Sequence, residues 1–159
     1  MRNFIQRIKA SKKLQIILFS GLLVQLIFSV VSVGFFHPDQ HFQIIEFSSY
    51  QLREANAATS VWELENNIRP TLQVYCFSLF RSACQVLSIY NPFYQLTLLR
   101  VLLGVIFLAV FNLIAFYFCE KKSDRTLTIT LLLLNFSWFL PYSRTLFSSE
   151  IVAALALFP

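Results

Sequence analysis

The sequence predicts an all-α, polytopic membrane protein, and three observations carry that prediction. Of 159 residues, 57% are hydrophobic and only 13% charged, where a soluble domain carries roughly 25% charged residues. The apolar residues gather in uncharged runs of 17 to 23 residues, the length scale of a membrane-spanning helix. The surplus of positive charge, +5 overall, lies at the start, where Arg2, Arg7, Lys9, Lys12 and Lys13 precede any acid. A basic chain raises nucleic acid as a partner. Here the surplus is one cluster beside an apolar run, which reads as a cytoplasmic topology signal, and nucleic acid is not indicated. Eighteen Phe against three Gly exclude a disordered or linker protein.

Residues 1–13 form the basic cytoplasmic N-terminus. Leu14 to Phe36 is 23 residues without a charge, about 34 Å as a helix and enough to span with tilt. A secretory signal has a shorter apolar region and a small-residue cleavage site; none follows Phe36, so 14–36 reads as an uncleaved first transmembrane helix. Residues 37–69 hold five of the eight acids (Asp39, Glu46, Glu54, Glu63, Glu65) against Arg53 and Arg69, which suits an extracytoplasmic loop. Within it Phe42, Ile45, Ser49 and Leu52 recur at helical spacing, so Gln40 to Arg53 reads as a helix lying against the membrane or the bundle.

The stretch 71–89 carries Arg81 at its middle. A centred Arg costs about 2.5–3.5 kcal/mol on the insertion scale, so its side chain needs protein or water, and the stretch is either a span or a juxtamembrane helix. Asn91-Pro92 reads as a turn. Val101 to Cys119 and Thr126 to Tyr142 are two further spans, joined by the charged loop 120–125. If 71–89 crosses, Lys121, Lys122 and Arg125 fall outside, against the positive-inside rule; if it lies at the surface they fall inside. The second arrangement is favoured. Residues 143–159 hold a polar motif and the start of an apolar helix too short to cross, so the chain reads as the N-terminal part of something longer.

Three constellations carry possible chemistry. In His37-Pro38-Asp39-Gln40-His41, an acid at a membrane edge can have its pKa raised and take a proton from a hydroxyl; equally, Asp39 suits the N-cap of the helix that follows. His37, Asp39 and His41 have the chemistry of metal ligands, but Pro38 prevents a regular helix from aligning the two rings, and no metal site is expected. Trp62-Glu63 with Arg69-Pro70 combines an interfacial anchor with a cation able to hold a phosphate. Ser143-Arg144-Thr145 with Glu150 offers a second such cation, or an internal ion pair. Cys76, Cys84 and Cys119 lie in apolar segments at no zinc spacing, and no disulfide is expected.

Taken in order, these motifs resemble those of the polyprenyl-phosphate-mannose-dependent mannosyltransferases of asparagine-linked glycan and GPI-anchor synthesis (glycosyltransferase family 22), the bacterial branch in particular. His37 to Phe47 is similar to the family's HPDE-x-FQ-x-x-E signature, and Trp62-Glu63 to its Trp-Glu-aromatic. Arg69-Pro70-Thr71-Leu72-Gln73 resembles the bacterial Arg-Pro-x-Leu-Gln; Asn91-Pro92-Phe93 and Leu99-Arg100 continue the match. Ser143 through Glu150 resembles S-R-T-[FL]-S-N-x-x-E. Gln40 stands in place of a Glu, Leu64 in place of the second aromatic, and Ser148-Ser149 in place of Ser-Asn, one residue shorter.

The resemblance implies the N-terminal part of a GT-C helical bundle with a large first extracytoplasmic loop carrying juxtamembrane helices. The implied reaction moves mannose from a polyprenyl-phosphate donor to a hydroxyl of a lipid-linked or anchored glycan, with inversion. Asp39 becomes the general base and Arg69 or Arg144 the holder of the carrier phosphate. His37, Gln40, Glu46, Trp62, Glu63 and Glu150 become substrate contacts. The implied partners are the lipid-linked sugar, a glycan or glycolipid acceptor and membrane lipids, with no cofactor. The implied location is a multi-pass position in the bacterial inner membrane, or alternatively the endoplasmic reticulum. The alternative reading is a truncated, non-catalytic remnant or interaction protein.

Overall fold

The computed structural model describes residues 2–32, 41–52, 72–147 and 153, and all regular structure among them is helical. In chain order the helices are α1 (Arg2–Ala10), α2 (Lys12–Val31), a π-helical turn (His41–Glu46) continuing into α3 (Phe47–Gln51), α4 (Leu72–Val86), α5 (Pro92–Phe118), α6 (Asp124–Phe136) and α7 (Leu140–Ser143). The helices α2 and α5 are long and apolar enough to cross a membrane. The chain divides into two compact units, Met1–Ser32 with Thr97–Pro159, and Val33–Leu96.

In the first unit α2 begins where Ser11 stops α1: its hydroxyl accepts from the Leu14 amide, satisfying one of the free donors of a helix start. Two lysines occupy the first turn, and Leu14 and Ile17 then turn inward against Ala115, Phe116 and Cys119 of the α5 end and Leu127 and Leu131 of α6. The other end of α2 lies beside the start of this unit's part of α5, where Ser29 donates to the Arg100 carbonyl and Arg100 Nη1 to the Ser32 carbonyl. Thus α2 and α5 run antiparallel. The third helix runs parallel to α2, because Asn135 of α6 packs on Gly21 and Gln25 donates to the Pro141 carbonyl, 3.0 Å. At the shared end of α1, α5 and α6, Arg7 pairs with Asp124 and donates to the Cys119 carbonyl.

Two helices differ from their expected bounds for local reasons. The Asn91-Pro92 turn is a helix start: Asn91 Oδ1 accepts from the Phe93 amide, 2.9 Å, and Pro92 takes the first helical position, where no N–H is missed. The helix α5 is therefore 27 residues long, and Arg100 lies inside it. The expected span 126–142 is instead broken. The helix α6 has 13 residues and leaves helical geometry at Ser137 (ψ 128°). Pro141 has no N–H to give the carbonyl of Ser137, four residues back, and its ring would clash there.

The second unit is organised around α4. Val74, Phe77 and Cys84 are buried with Ile44 and Phe47. Arg81, whose position in an apolar stretch demands protein partners, has them: Nη1 donates to Ser48 Oγ and Ser49 Oγ at 3.2 and 2.8 Å, and Nε to Gln95 Oε1 at 3.4 Å. One turn before Arg81, Ser78 donates to Gln51 Oε1, 2.8 Å. The segment after the acid motif is thereby fastened to α4. That helix ends on Ser88, which has φ 61°, with Ile89 N–H returning to the Cys84 carbonyl in the manner of a Schellman stop.

Candidate functional site

Of the catalytic and substrate-binding residues that the resemblance implies, Glu46 and Arg144 are described. His37, Asp39, Gln40, Trp62, Glu63, Arg69 and Glu150 lie outside the described residues. Glu46 closes the π-helical turn and is half-buried. Such turns recur at functional sites because the extra residue per turn re-aims the side chains around it.

Arg144 follows α7 and is 1% exposed. The helix α6 breaks at Ser137 and α7 follows it, and the Arg144 side chain reaches back to the last turn of α6. Nη2 donates to the Leu134 carbonyl, one that α6 leaves open where it ends. The guanidinium lies over the Phe111 ring of α5, 5.3 Å from its centre, close enough for a cation–π contact. Nε and Nη1 are buried and have no hydrogen-bond partner among the described residues. Burial pushes Arg144 down to about 10, which leaves it cationic at neutral pH.

The residues beside it hold the turn. Ser143 Oγ donates to the Leu140 carbonyl, 3.0 Å, and Thr145 Oγ1 to the Tyr142 carbonyl, 2.7 Å. The two hydroxyls of Ser-Arg-Thr thus occupy themselves with backbone. A desolvated guanidinium with two nitrogens unpartnered among the described residues has the donor chemistry that an oxyanion would satisfy, through charge-assisted bonds.

A polar seam that the sequence reading did not single out runs through the first unit. Gln25, Ser29 and Asn135 are essentially inaccessible; Ser29 donates to the Gln25 carbonyl, 2.9 Å, and Asn135 Nδ2 to Asn112 Oδ1, 3.1 Å. Gln25 Oε1 and Asn135 Oδ1 have no partner among the described residues. Gly104 fits this seam: a Cβ there would stand 2.6 Å from Gln25 Nε2 and 2.9 Å from Ser29 Oγ. The available signal was an amide in the interior of each of these apolar runs, Gln25, Asn112 and Asn135, since a polar side chain inside a span finds a partner on a neighbouring helix.

A model of the Alg9-like mannosyltransferase family matches residues 16–158. No curated protein and no solved structure matches the chain.

Proposed function

The chain belongs to the Alg9-like mannosyltransferase family, and on that premise we propose that it transfers mannose from a polyprenyl-phosphate donor to a hydroxyl of a lipid-linked or anchored glycan. Membership makes it a hexosyltransferase; the donor, acceptor class and mechanism are our reading. Asp39 takes the proton of the acceptor hydroxyl as that oxygen attacks the anomeric carbon. The bond from this carbon to the phosphate oxygen breaks, its electron pair leaves on the carrier phosphate, and the anomeric configuration inverts. Negative charge grows on the phosphate as the bond breaks, so a cation held there stabilises the transition state more than the bound donor. Arg69 or Arg144 is the cation assigned to it. His37, Gln40, Glu46, Trp62, Glu63 and Glu150 contact sugar or the hydrogen-bond network around it. Gln40 hydrogen-bonds but carries no charge, so the basic role rests on Asp39 alone. No metal enters this scheme.

Arg144 carries the reading: it is a buried guanidinium with one backbone bond and two nitrogens, Nε and Nη1, without partners among the described residues. The topology that goes with it is a GT-C bundle in the bacterial inner membrane with a cytoplasmic N-terminus. Support comes from the first unit, where α2 ends and this unit's part of α5 begins side by side. An intervening segment that stays on one side of the membrane meets that constraint. The 15-residue α4, about 22 Å long, is then a juxtamembrane helix.

The test is Asp39→Asn in the native protein, assayed in membranes with a mannosyl-phosphate polyprenol. Transfer is expected to be abolished at unchanged membrane level. Near-normal transfer by this variant overturns the role of Asp39.

A further inference from the structure

A cleft of about 520 Å³ opens in the first unit between the N-terminal turns of α2 and α6. Its charged end is formed by Lys13 and Arg125, both exposed, and neither has an ion pair or hydrogen bond among the described residues. Asp124 also borders it, but Arg7 holds that carboxylate. Deeper along the helices the wall becomes apolar, with Leu14, Ile129 and Leu132. Arg125, Ile129 and Leu132 are four and seven residues apart, hence on one face of α6. The cation stands roughly 10 Å along the axis from the far apolar residue. The starts of both helices meet here, and their dipoles favour negative charge. More positive charge surrounds the cleft, since the Arg7 contacts bring Lys9 and Lys12 of the N-terminal segment to the end that carries Lys121 and Lys122.

A cationic head end followed by an apolar wall is the outline of an anionic amphiphile. A free phosphate would use only the first part; a zwitterionic lipid would set its own cation against Lys13 and Arg125. We propose that this cleft binds one anionic phospholipid from the leaflet at the N-terminal end of the bundle, its phosphate between Lys13 and Arg125 and an acyl chain along Leu14, Ile129 and Leu132. Basic pockets between membrane helices recognise anionic headgroups in this way. The site differs from the carrier-phosphate assignment: Arg144 follows the opposite end of α6. The inference rests on the membrane reading of α2 and α5 and not on the transfer reaction.

The full chain in detergent is examined by native mass spectrometry with phosphatidylglycerol, with phosphatidylcholine of the same acyl chains, and with inorganic phosphate. One phosphatidylglycerol is expected to remain bound and phosphatidylcholine not. Lys13→Gln with Arg125→Gln should weaken that binding about thirtyfold, from the usual contribution of two cations near a lipid surface. Lys121→Gln with Lys122→Gln removes equal charge from the same end, but neither residue lines the cleft, and the loss should be several-fold smaller. Equal weakening in both double variants, equal retention of phosphatidylcholine, or displacement by inorganic phosphate would each overturn the site. Mannose transfer is not read in this experiment, so its failure leaves the enzymatic reading untouched.

Discussion

Arg144 has five N–H donors, and folding takes it out of water with one backbone carbonyl and one aromatic face as its described company. A buried cation that is incompletely bonded adds little stability, and an apolar side chain of similar volume often serves as well. Arg144→Met should therefore hold the melting temperature within about 3 °C while abolishing mannose transfer. Arg144→Lys keeps charge but loses the planar donor set, and should raise the KM for the donor by about tenfold, the worth of one charge-assisted bond. Thermal melts and donor titrations check both; a large loss of stability in the Met variant would make Arg144 a structural residue. Sequence reading reached Arg144 through its Ser-Arg-Thr setting. It did not reach Leu134 or Phe111, whose proximity depends on a helix break at Ser137 that apolar periodicity does not encode. Arg81 was legible in a different sense: its cost in an apolar stretch required partners, and Ser48, Ser49 and Gln95 are those partners.

Helices are where close approach sets the energetics. Gly→Ala inside a helix ordinarily gains about 1 kcal/mol from propensity. At Gly104 a methyl would stand 2.6 Å from the Gln25 amide, which is itself engaged with the Pro141 carbonyl. Moving it also disturbs the backbone just before Arg144. Overpacking of this kind costs about 1–3 kcal/mol, so Gly104→Ala should be destabilising on balance, and the equilibrium melt should fall. Ser88 is the opposite case. It holds φ 61° without a glycine's freedom, at a cost of about 1–2 kcal/mol, so Ser88→Gly should raise stability by about 1 kcal/mol. The spacing of Phe42, Ile45, Ser49 and Leu52 announced a helix after Pro38, and helical backbone runs from His41 to Gln51. The π-helical register of its first part was not legible, because Phe42, Ile44, Ile45 and Phe47 are dense enough to give an apolar face in either register. The run from Thr126 to Tyr142 looked continuous because apolarity does not register a Pro acting four residues back, on Ser137.

On the scale of the whole molecule the apolar composition made long apolar helices legible, and α2 and α5 are long and apolar enough to cross a membrane; the family match over residues 16–158 makes the chain a mannosyltransferase. The acid motif assigned to the chemistry, His37 to Gln40, lies outside the described residues. Topology is testable directly. The contacts of Arg7 with Cys119 and Asp124 put the N-terminal helix and the 120–125 loop at one end of the first unit. In a background without native cysteines, Lys121→Cys should react with an impermeant thiol reagent from the same side as an N-terminal tag. Labelling from the opposite side would contradict the arrangement of α2, α5 and α6. The most direct test of the account as a whole compares sugar donors in membranes holding the native protein. Mannosyl-phosphate polyprenol should yield a mannosylated lipid-linked or anchored glycan of inverted anomeric configuration, and a nucleotide-linked mannose should yield none when the polyprenyl carrier is omitted. Transfer directly from the nucleotide sugar, or retention of configuration, would contradict it.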